Sequence, residues 1–147
     1  DAQTELTPWM KQRMVLSASA LSAPDALKMA GYKASDMQFA QFYDWYTILE
    51  AVSLEDAGFC AKGDIGLFFE STDTTYKGTF PINTDGGQLS GGQGGNGGFR
   101  HVIEGARQIM GKGGPRQIPR NDLGLINGWG GWASEMCSLV LGSENTL

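Results

Sequence analysis

The 147-residue chain has few of the residue types that build metal and disulfide sites. It contains two cysteines, Cys60 and Cys137, and a single histidine, His101. Two cysteines are too few for a disulfide framework and are typical of a reducing compartment, so we expect a cytoplasmic protein. Because no cluster of Cys and His has metal-ligand spacing, we expect no metal site.

The chain also lacks a basic surface and a long apolar run. Its net charge is −5, and its eleven basic residues are scattered, which argues against nucleic acid as a partner. No apolar run approaches the length of a membrane span, and no signal-peptide pattern is present. The length predicts one domain, which we place at residues 14–147 after a lead-in segment at 1–13. Since the chain begins at Asp1 without Met, we expect a trimmed protein or the downstream piece of a longer one.

Glycine is abundant, and it is concentrated in one loop. Eight of the thirteen residues from Gly86 to Gly98 are glycine, between a predicted strand at 79–85 and a predicted helix at 99–110. Glycines let a backbone approach another backbone or a ligand closely, and a helix start presents unpaired N–H groups. Residues 92–97 fit the G-x-G-x-x-G dinucleotide pattern, but the acidic residue expected about twenty positions later is missing. A tight strand-to-helix crossing without a ligand is the alternative interpretation.

Hydrophobic periodicity and capping residues predict the other elements. A helix near Ser22–Pro24 should end at Gly31, and a helix from Trp45 to Ala57 should be capped by Asp44 and end at Gly58. The strand candidates are residues 14–18, a half-exposed segment 38–43, 123–127 and 135–141, while 65–69 could be a strand or a loop. This order predicts an α/β fold with a largely parallel sheet and helices packed on it.

Four individual residues leave alternatives open. Tyr43 ends a predicted sheet strand, where α/β proteins place ligands, but an aromatic residue at such a junction is more often part of the core. His101 is more often a surface or packing residue than a catalyst at such a position, and Cys137 should be a small buried residue. Asp85 could form a turn with its own backbone or point its carboxylate into the loop cavity.

Three stretches in the right order resemble one family. The first comprises Gln41–Thr47 (QFYDWYT) with Leu54–Cys60 (LEDAGFC), the second is Pro81–Ser90 (PINTDGGQLS), and the third is Ile126–Gly131 (INGWGG). Together they resemble the C-terminal half of the sterol-carrier and lipid-transfer branch of the thiolase superfamily. The resemblance implies a βαβαβαββ half with a mixed sheet. It further implies that an N-terminal thiolase half or partner subunit completes a dimer or hetero-oligomer.

The chain departs from the family at two catalytic positions. Aligning the family's glycine turn puts Gly92 at the place of its histidine, and Ile126 or Asn127 near that of its second cysteine. Glycine and isoleucine cannot transfer a proton, so a standard thiolase mechanism is not expected. Some relatives of this branch are retro-aldolases that use tyrosines and work with an OB-fold partner protein. Tyr43 matches one such tyrosine, and the other place falls at Gln93.

The resemblance therefore implies an acyl-CoA site for C–C bond cleavage or formation, by a retro-aldol reaction or a non-standard acyl transfer. Coenzyme A would be part of the substrate, and no separate cofactor is expected. A non-catalytic scaffold that binds acyl-CoA or a partner subunit is the alternative. The expected catalytic residues are Tyr43, Asp85 and Gln93, and the expected substrate-binding residues are Asn83, Gly86, Gly87, Gly92, Asn127 and Gly128.

Overall fold

The computed structural model describes residues 16–91, 97–130 and 135–146. It is an α/β structure, as the sequence predicts, in which helices pack on one three-stranded sheet. The predicted boundary between residues 13 and 14, together with Gly92 and Gln93, lies outside the described residues. In chain order the elements are α1 (Ser19–Ala30), β1 (Phe39–Phe42), α2 (Thr47–Asp56), α3 (Ile65–Ser71), α4 (Gly87–Gly91), α5 (Gly97–Ile109), β2 (Leu123–Gly130) and β3 (Glu135–Gly142).

The sheet is mixed, with the order β1–β2–β3. Strand β1 pairs parallel with β2, where Phe42 lies opposite Asn127, and β2 pairs antiparallel with β3. The strand predicted at 79–85 is reduced to a single parallel bridge between Ile82 and Ala40. It extends no further because Asn83 takes a positive φ of 47° and turns the chain away.

Helices cover both faces of the sheet. Leu27 of α1 and Leu54 of α2 pack on one face against Phe42 and Leu125, and Ile109 of α5 belongs to a second cluster with Ile126. All four residues of β1 are therefore buried, and the expectation of a half-exposed strand is wrong. Parallel strands that are covered on both faces are commonly buried throughout.

Helix α1 begins earlier than predicted. It starts at Ser19, so that Pro24 lies inside it. Residues 16–18, the described part of the strand predicted at 14–18, are not in a strand. Ser17 explains the early start, because its carbonyl accepts the N–H of Ala20 while the Asp56 carboxylate accepts the Ser17 N–H and hydroxyl. The predicted end at Gly31 is confirmed, with a φ of 79°.

Helix α3 lies where a strand or a loop was expected. The apolar run at 65–69 is too short for periodicity to separate a strand from a buried helix. Its packing decides the outcome, since the Phe68 ring meets the Phe80 ring edge-on at 6.3 Å. Strands β2 and β3 are confirmed near their predicted places, and α2 is followed by Gly58 with a φ of 89°, as predicted.

Helix α5 is inverted relative to an ordinary surface helix. Its buried positions are His101, Glu104, Gly105 and Gln108, which are largely polar, whereas Phe99 and Ile103 are 65% and 41% exposed. Met110, just beyond the helix end, is 59% exposed. We call Phe99, Ile103 and Met110 the outer apolar stripe. An apolar stripe that faces outward is typical of a surface that meets another protein.

The outer apolar stripe continues onto the edge strand β3. A groove of about 450 Å³ lies between them and is lined in part by Phe99, Val102, Ile126 and Leu139. Cys137 also lines this groove and is exposed, so the prediction that it is a small buried residue is wrong. The reason is position, because β3 is the last strand of the sheet and α5 lies against β2 instead.

Candidate functional site

Tyr43 stands where β1 ends, beside the end of β2. Its backbone N–H donates to the Asn127 carbonyl at 3.2 Å, which continues the parallel ladder by one residue. The side chain is 9% exposed. Its ring stacks on Trp129 with centroids 6.2 Å apart and planes within 7°, and it lies 5.9 Å from the His101 ring. Tyr43 is thus held in an aromatic cluster at the carboxyl ends of two parallel strands, where α/β sheets place ligands.

The first residue of α5 comes close to the Tyr43 ring. A Cβ added to Gly97 would lie 2.8 Å from Tyr43 Cε2 and 2.9 Å from Gln88 Nε2, which is too close for any real side chain. Gln88 Nε2 donates to the Gly97 carbonyl at 2.7 Å and so joins α4 to α5. The glycine at 97 therefore brings backbone, rather than a side chain, against the ring.

Both polar atoms of the Asn83 side chain form hydrogen bonds within the fold. Its Oδ1 accepts the Phe42 N–H at 2.8 Å, and its Nδ2 donates to Glu50 Oε1 at 2.9 Å. Asn is among the few residue types that tolerate the left-handed backbone found here. The side chain consequently fastens the end of β1 to the turn that leads into α4.

Asp85 forms the turn that was one of its two predicted alternatives. Its Oδ1 accepts the Gly87 N–H at 3.0 Å, and its Oδ2 pairs with Arg100 Nε at 2.7 Å. Arg100 also donates from Nη2 to the Asp85 carbonyl at 3.3 Å. Both carboxylate oxygens of Asp85 are therefore bonded, one to the turn and one to α5, and the carboxylate does not point unpaired into the loop.

Gly86 and Gly87 both have positive φ, 88° and 59°. A Cβ at Gly87 would overlap the carboxylate of Asp44. Only glycine combines this backbone conformation with so close an approach.

Asn127 and Gly128 face opposite sides of the sheet. The Asn127 side chain is fully buried, and its Nδ2 donates to Ser138 Oγ at 3.0 Å, next to Ser22 of α1. A Cβ on Gly128 would lie 4.0 Å from Gly98 Cα and 3.2 Å from Cys137 Sγ, on the α5 side. Of the two predicted binding residues, Gly128 thus lies on the Gly98 side, while the Asn127 amide lies under α1.

Asp44 caps a different helix from the one predicted. The N-cap position of α2 is Tyr46, whereas the Asp44 carboxylate accepts the N–H of Gln88 at 2.6 Å and that of Leu89 at 3.4 Å, in α4. Asp44 is only 2% exposed. A contact between residues 44 positions apart cannot be read from local capping patterns.

Two further titratable side chains lie close to the turn and were not among the predicted site residues: Glu50, which was not singled out, and His101, which was interpreted as more often a surface or packing residue than a catalyst. Burial, with a contribution from the Asp44 carboxylate, raises the pKa of Glu50 to about 7. His101 is fully buried, with Nε2 3.6 Å from Asp44 Oδ1, and burial holds its pKa below the usual value. The one available signal for His101 was its spacing with Glu104 and Gln108, which marks a polar stripe on the buried side of α5.

Two other classes of site are absent from residues 16–91, 97–130 and 135–146. No group of three or more His, Cys, Asp or Glu side chains in these ranges is placed to hold a metal ion. No helix in the same ranges is long and apolar enough to cross a membrane. Tyr43, Asp44, Glu50, Asp85 and His101 are titratable groups close to the turn that leads into α4.

The chain is similar in sequence to a known protein family and to several of its members. The family model described as "Thiolase C-terminal domain-like" matches residues 2–143. The chain is 31% identical over 117 residues to an acetyl-CoA acetyltransferase of Methanothermobacter thermautotrophicus, covering 79% of this chain and 30% of that protein. It is 38% identical over 82 residues to a 17-hydroxy-3-oxo-4-pregnene-20-carboxyl-CoA lyase of Mycobacterium tuberculosis, covering 56% of this chain and 21% of the lyase.

A solved structure gives the same result. The chain superimposes on the Ltp2–ChsH2(DUF35) aldolase with a TM-score of 0.76 and 28% identity, covering 86% of this chain and 32% of the aldolase chain. The chain therefore spans about a third or less of the length of these similar proteins.

Proposed function

Because the chain belongs to the thiolase C-terminal domain-like family, we propose that it contributes one wall of an acyl-CoA site at which a C–C bond is cleaved or formed. The observation that carries the proposal is the placement of Tyr43. Its ring lies at the carboxyl ends of β1 and β2, is stacked on Trp129, and faces the backbone of Gly97 at the start of α5. Two of the similar proteins are a lyase and an aldolase by name.

Such a site would serve a retro-aldol reaction of a β-hydroxyacyl thioester in the following way. A base takes the proton of the hydroxyl group, the Cα–Cβ bond breaks, and the electron pair moves into the thioester as an enolate. An acid then protonates Cα, so that a carbonyl compound and a shorter acyl-CoA leave. Tyr43 is our candidate for the group that exchanges a proton or hydrogen-bonds the carbonyl. The backbone from Gly86 to Gly98 is the candidate lining of the oxyanion pocket. The N–H groups of Gly86, Gly87, Gln88 and Leu89 are bonded within the fold, so the donors to an oxyanion would come from the part of this range nearer α5.

The predicted catalytic role of Asp85 and the predicted binding role of Asn83 stay predictions, and we propose that both residues also support the turn. Asp85 is paired with Arg100 and Asn83 with Glu50, so both shape the turn in the present structure. Gln93 and Gly92 stay predictions, as do the binding roles of Gly86, Gly87, Asn127 and Gly128. Coenzyme A enters as part of the substrate.

We also propose that an N-terminal thiolase half, on a partner subunit or on another part of the protein, covers the outer apolar stripe and the groove beside β3. The chain spans 30% of the acetyltransferase and 32% of the aldolase, so most of the architecture of such proteins is not on this chain. Exposed Phe99 and Ile103 would be buried by that half. The aldolase is named as an assembly with a DUF35 component, which supports a further partner of that kind.

The test is Tyr43→Phe in the assembled complex, with turnover measured on a β-hydroxyacyl-CoA. We expect kcat to fall by about a hundredfold or more if Tyr43 takes part in proton transfer. Tyr76→Phe is the matched control, since Tyr76 packs instead near Phe39 and beneath Lys77. Unchanged turnover in Tyr43→Phe would remove Tyr43 from the mechanism.

A non-catalytic scaffold is the second candidate, favoured by one observation. The polar side chains of Asn83 and Asp85, both at the turn, are satisfied by other parts of the fold. A scaffold would bind acyl-CoA without converting it. Binding of acetyl-CoA by the complex with no product from any β-hydroxyacyl-CoA or acyl-CoA pair would favour the scaffold.

A further inference from the structure

The Asp44 carboxylate joins the end of β1 to α4. Its Oδ1 accepts the Gln88 N–H at 2.6 Å, and its Oδ2 accepts the Leu89 N–H at 3.4 Å. Gly87 packs directly against the same carboxylate, at a distance that leaves no room for a Cβ. The position of the α4 turn relative to Tyr43, the preceding residue in the chain, therefore depends on where this carboxylate lies.

His101 lies beside this carboxylate without a hydrogen bond to it. Nε2 is 3.6 Å from Asp44 Oδ1, beyond hydrogen-bond range, and neither ring nitrogen has a hydrogen-bond partner in the parts of the chain that the structure describes. A buried polar group left without a hydrogen-bond partner has a cost in free energy of folding. The fold retains this cost on a fully buried imidazole that also contacts the Tyr43 ring.

A proton on His101 would add a second donor that competes with the Gln88 N–H for Asp44 Oδ1. With both ring nitrogens protonated, Nε2–H becomes a charged donor 3.6 Å from the oxygen that already accepts the Gln88 N–H. The carboxylate can move toward the imidazolium only by loosening its hold on α4. Because the His101 ring also lies against Tyr43, the same movement reaches the candidate site.

Burial, against the pull of the nearby carboxylates, lowers the pKa of His101 and favours the neutral imidazole near pH 7. Burial lowers its pKa most, the carboxylates of Asp44 and Asp85 raise it, and the Arg100 guanidinium lowers it again. Asp85 and Arg100 are themselves paired, so Asp44 is the unpaired charge closest to the imidazole.

We propose that Asp44 and His101 are positioning residues of the candidate site. Neutral His101 leaves the Asp44 carboxylate to hold the α4 turn beside Tyr43, and a proton on His101 draws that carboxylate away and releases the turn. The acetyl-CoA binding measurement rests on the proposed function, whereas the titrations of His101 and Gln88 do not.

The test uses the fact that His101 is the single histidine of the chain. In ¹⁵N-labelled assembled protein, the imidazole signals report its protonation directly, and the Gln88 amide signal reports the α4 turn. We expect both to titrate with one midpoint, below the ordinary histidine value of about 6.5. An imidazole that titrates while the Gln88 amide stays still would overturn the proposal.

Variants separate the groups near Asp44. His101→Gln should abolish the pH-dependent movement of the Gln88 amide in that range, whereas Glu50→Gln should leave it in place. Asp44→Asn should lower the His101 midpoint, because the carboxylate raises it. Exposed Glu70→Gln is the control that should change nothing. If a variant fails to fold, the titration of the unmodified protein still decides the question.

Binding of acetyl-CoA to the assembled protein gives the functional readout. One pH unit below the His101 midpoint, about a tenth of the molecules keep the turn held, so the affinity should fall about tenfold. His101→Gln should bind with no such pH dependence, and an equal dependence in the variant would contradict the proposal. Absence of acetyl-CoA binding at every pH would count against the proposed function, while the titrations would still decide the role of Asp44 and His101.

Discussion

Individual residues at the glycine turn are constrained by contacts with distant parts of the chain. The local pattern predicted that Tyr43 ends a strand, which the structure confirms, while its catalytic role came from the resemblance and stays a prediction. Asp44, Glu50 and His101 were not assigned their contacts, because these join residues that are far apart in sequence, such as Asp44 with Gln88 and Glu50 with Asn83. Sequence reasoning therefore predicted that the end of β1 lies near the glycine loop, but not the contacts of Asp44, Glu50 and His101 there.

Gly87 has little freedom to change, because both its backbone conformation and its surroundings require glycine. Gly87→Ala places a Cβ against the Asp44 carboxylate and requires a positive φ, so we expect a loss of about 1–3 kcal/mol in the free energy of unfolding. Urea denaturation measures it. Gly66→Ala is the control, since a Cβ there meets nothing within 4 Å and lies in helix α3. That control should be neutral or slightly stabilising. Equal effects of the two substitutions would contradict the crowding at Gly87.

Glu50 should make the fold less stable as the pH rises. Its folded-state pKa is about 7, above the reference value of 4.5, so the folded protein binds the proton more tightly than the unfolded chain. The cost therefore appears as the pH rises above about 4.5 and is complete above the folded-state pKa. We expect Glu50→Gln to be more stable than the unmodified protein at pH 8, with the difference vanishing near pH 4.5. Denaturation at both pH values checks this, and a variant that is less stable at pH 8 would refute it.

At the scale of elements, the glycines and the longer strands were predictable, and the short apolar segments were not. Gly31 and Gly58 end their helices because the left-handed backbone that closes a helix suits glycine. The run at 65–69 became α3, because four apolar residues and one glycine are too few to show a decisive period. The predicted helix after the glycine loop exists as α5, but its inverted orientation depends on polar partners that lie elsewhere in the chain.

Glu104 is the centre of those polar partners. Its carboxylate accepts hydrogen bonds from Thr84, Gln108 and Arg116, and it is 1% exposed. Burial by itself raises its pKa, but the hydrogen bonds from Arg116, Gln108 and Thr84 bring the pKa below the usual value. The stabilisation is therefore present above pH 4.5 and is lost as the pH falls through the lower folded-state pKa.

Glu104→Gln should remove most of this stabilisation. Breaking one side of a buried ion pair costs about 3–5 kcal/mol, and partly exposed Arg116 should bring the loss toward the lower end. We expect the free energy of unfolding at pH 7 to fall by about 2–3 kcal/mol, with a smaller difference at pH 3. Glu70→Gln serves again as the exposed control. A loss that does not shrink at low pH would show that the charge of Glu104 is not its source.

At the scale of the whole molecule, one side of the described structure carries an exposed apolar surface. The sheet is covered on both faces over β1 and β2, while the outer apolar stripe and the groove beside β3 are open. The resemblance to a thiolase half implied a missing partner, and the exposed residues indicate where it would bind. Sequence periodicity could not predict that the outer apolar stripe is exposed, because a periodicity argument assumes that the apolar face of a helix points into the core.

The outer apolar stripe can be tested by one substitution. Ile103→Glu should prevent assembly with the N-terminal half while leaving the chain folded, since Ile103 is already 41% exposed. Analytical ultracentrifugation of the mixed components measures assembly, and circular dichroism measures the fold. Met29→Glu on α1 is the control, because Met29 is 89% exposed on the opposite side of the sheet. Assembly that survives Ile103→Glu would place the partner elsewhere.

The exposed apolar stripe on helix α5 also has a consequence for the steady-state amount of the protein in a cell. A copy without its partner would display Phe99, Ile103 and Met110 to water, which is the kind of surface that chaperones and proteases recognise on incomplete proteins. Surplus copies would be removed, whereas assembled copies would be spared. Where the N-terminal half is a separate subunit, we therefore expect its supply to set the steady-state amount of this chain, so that the two accumulate in matched numbers without a separate control on their synthesis.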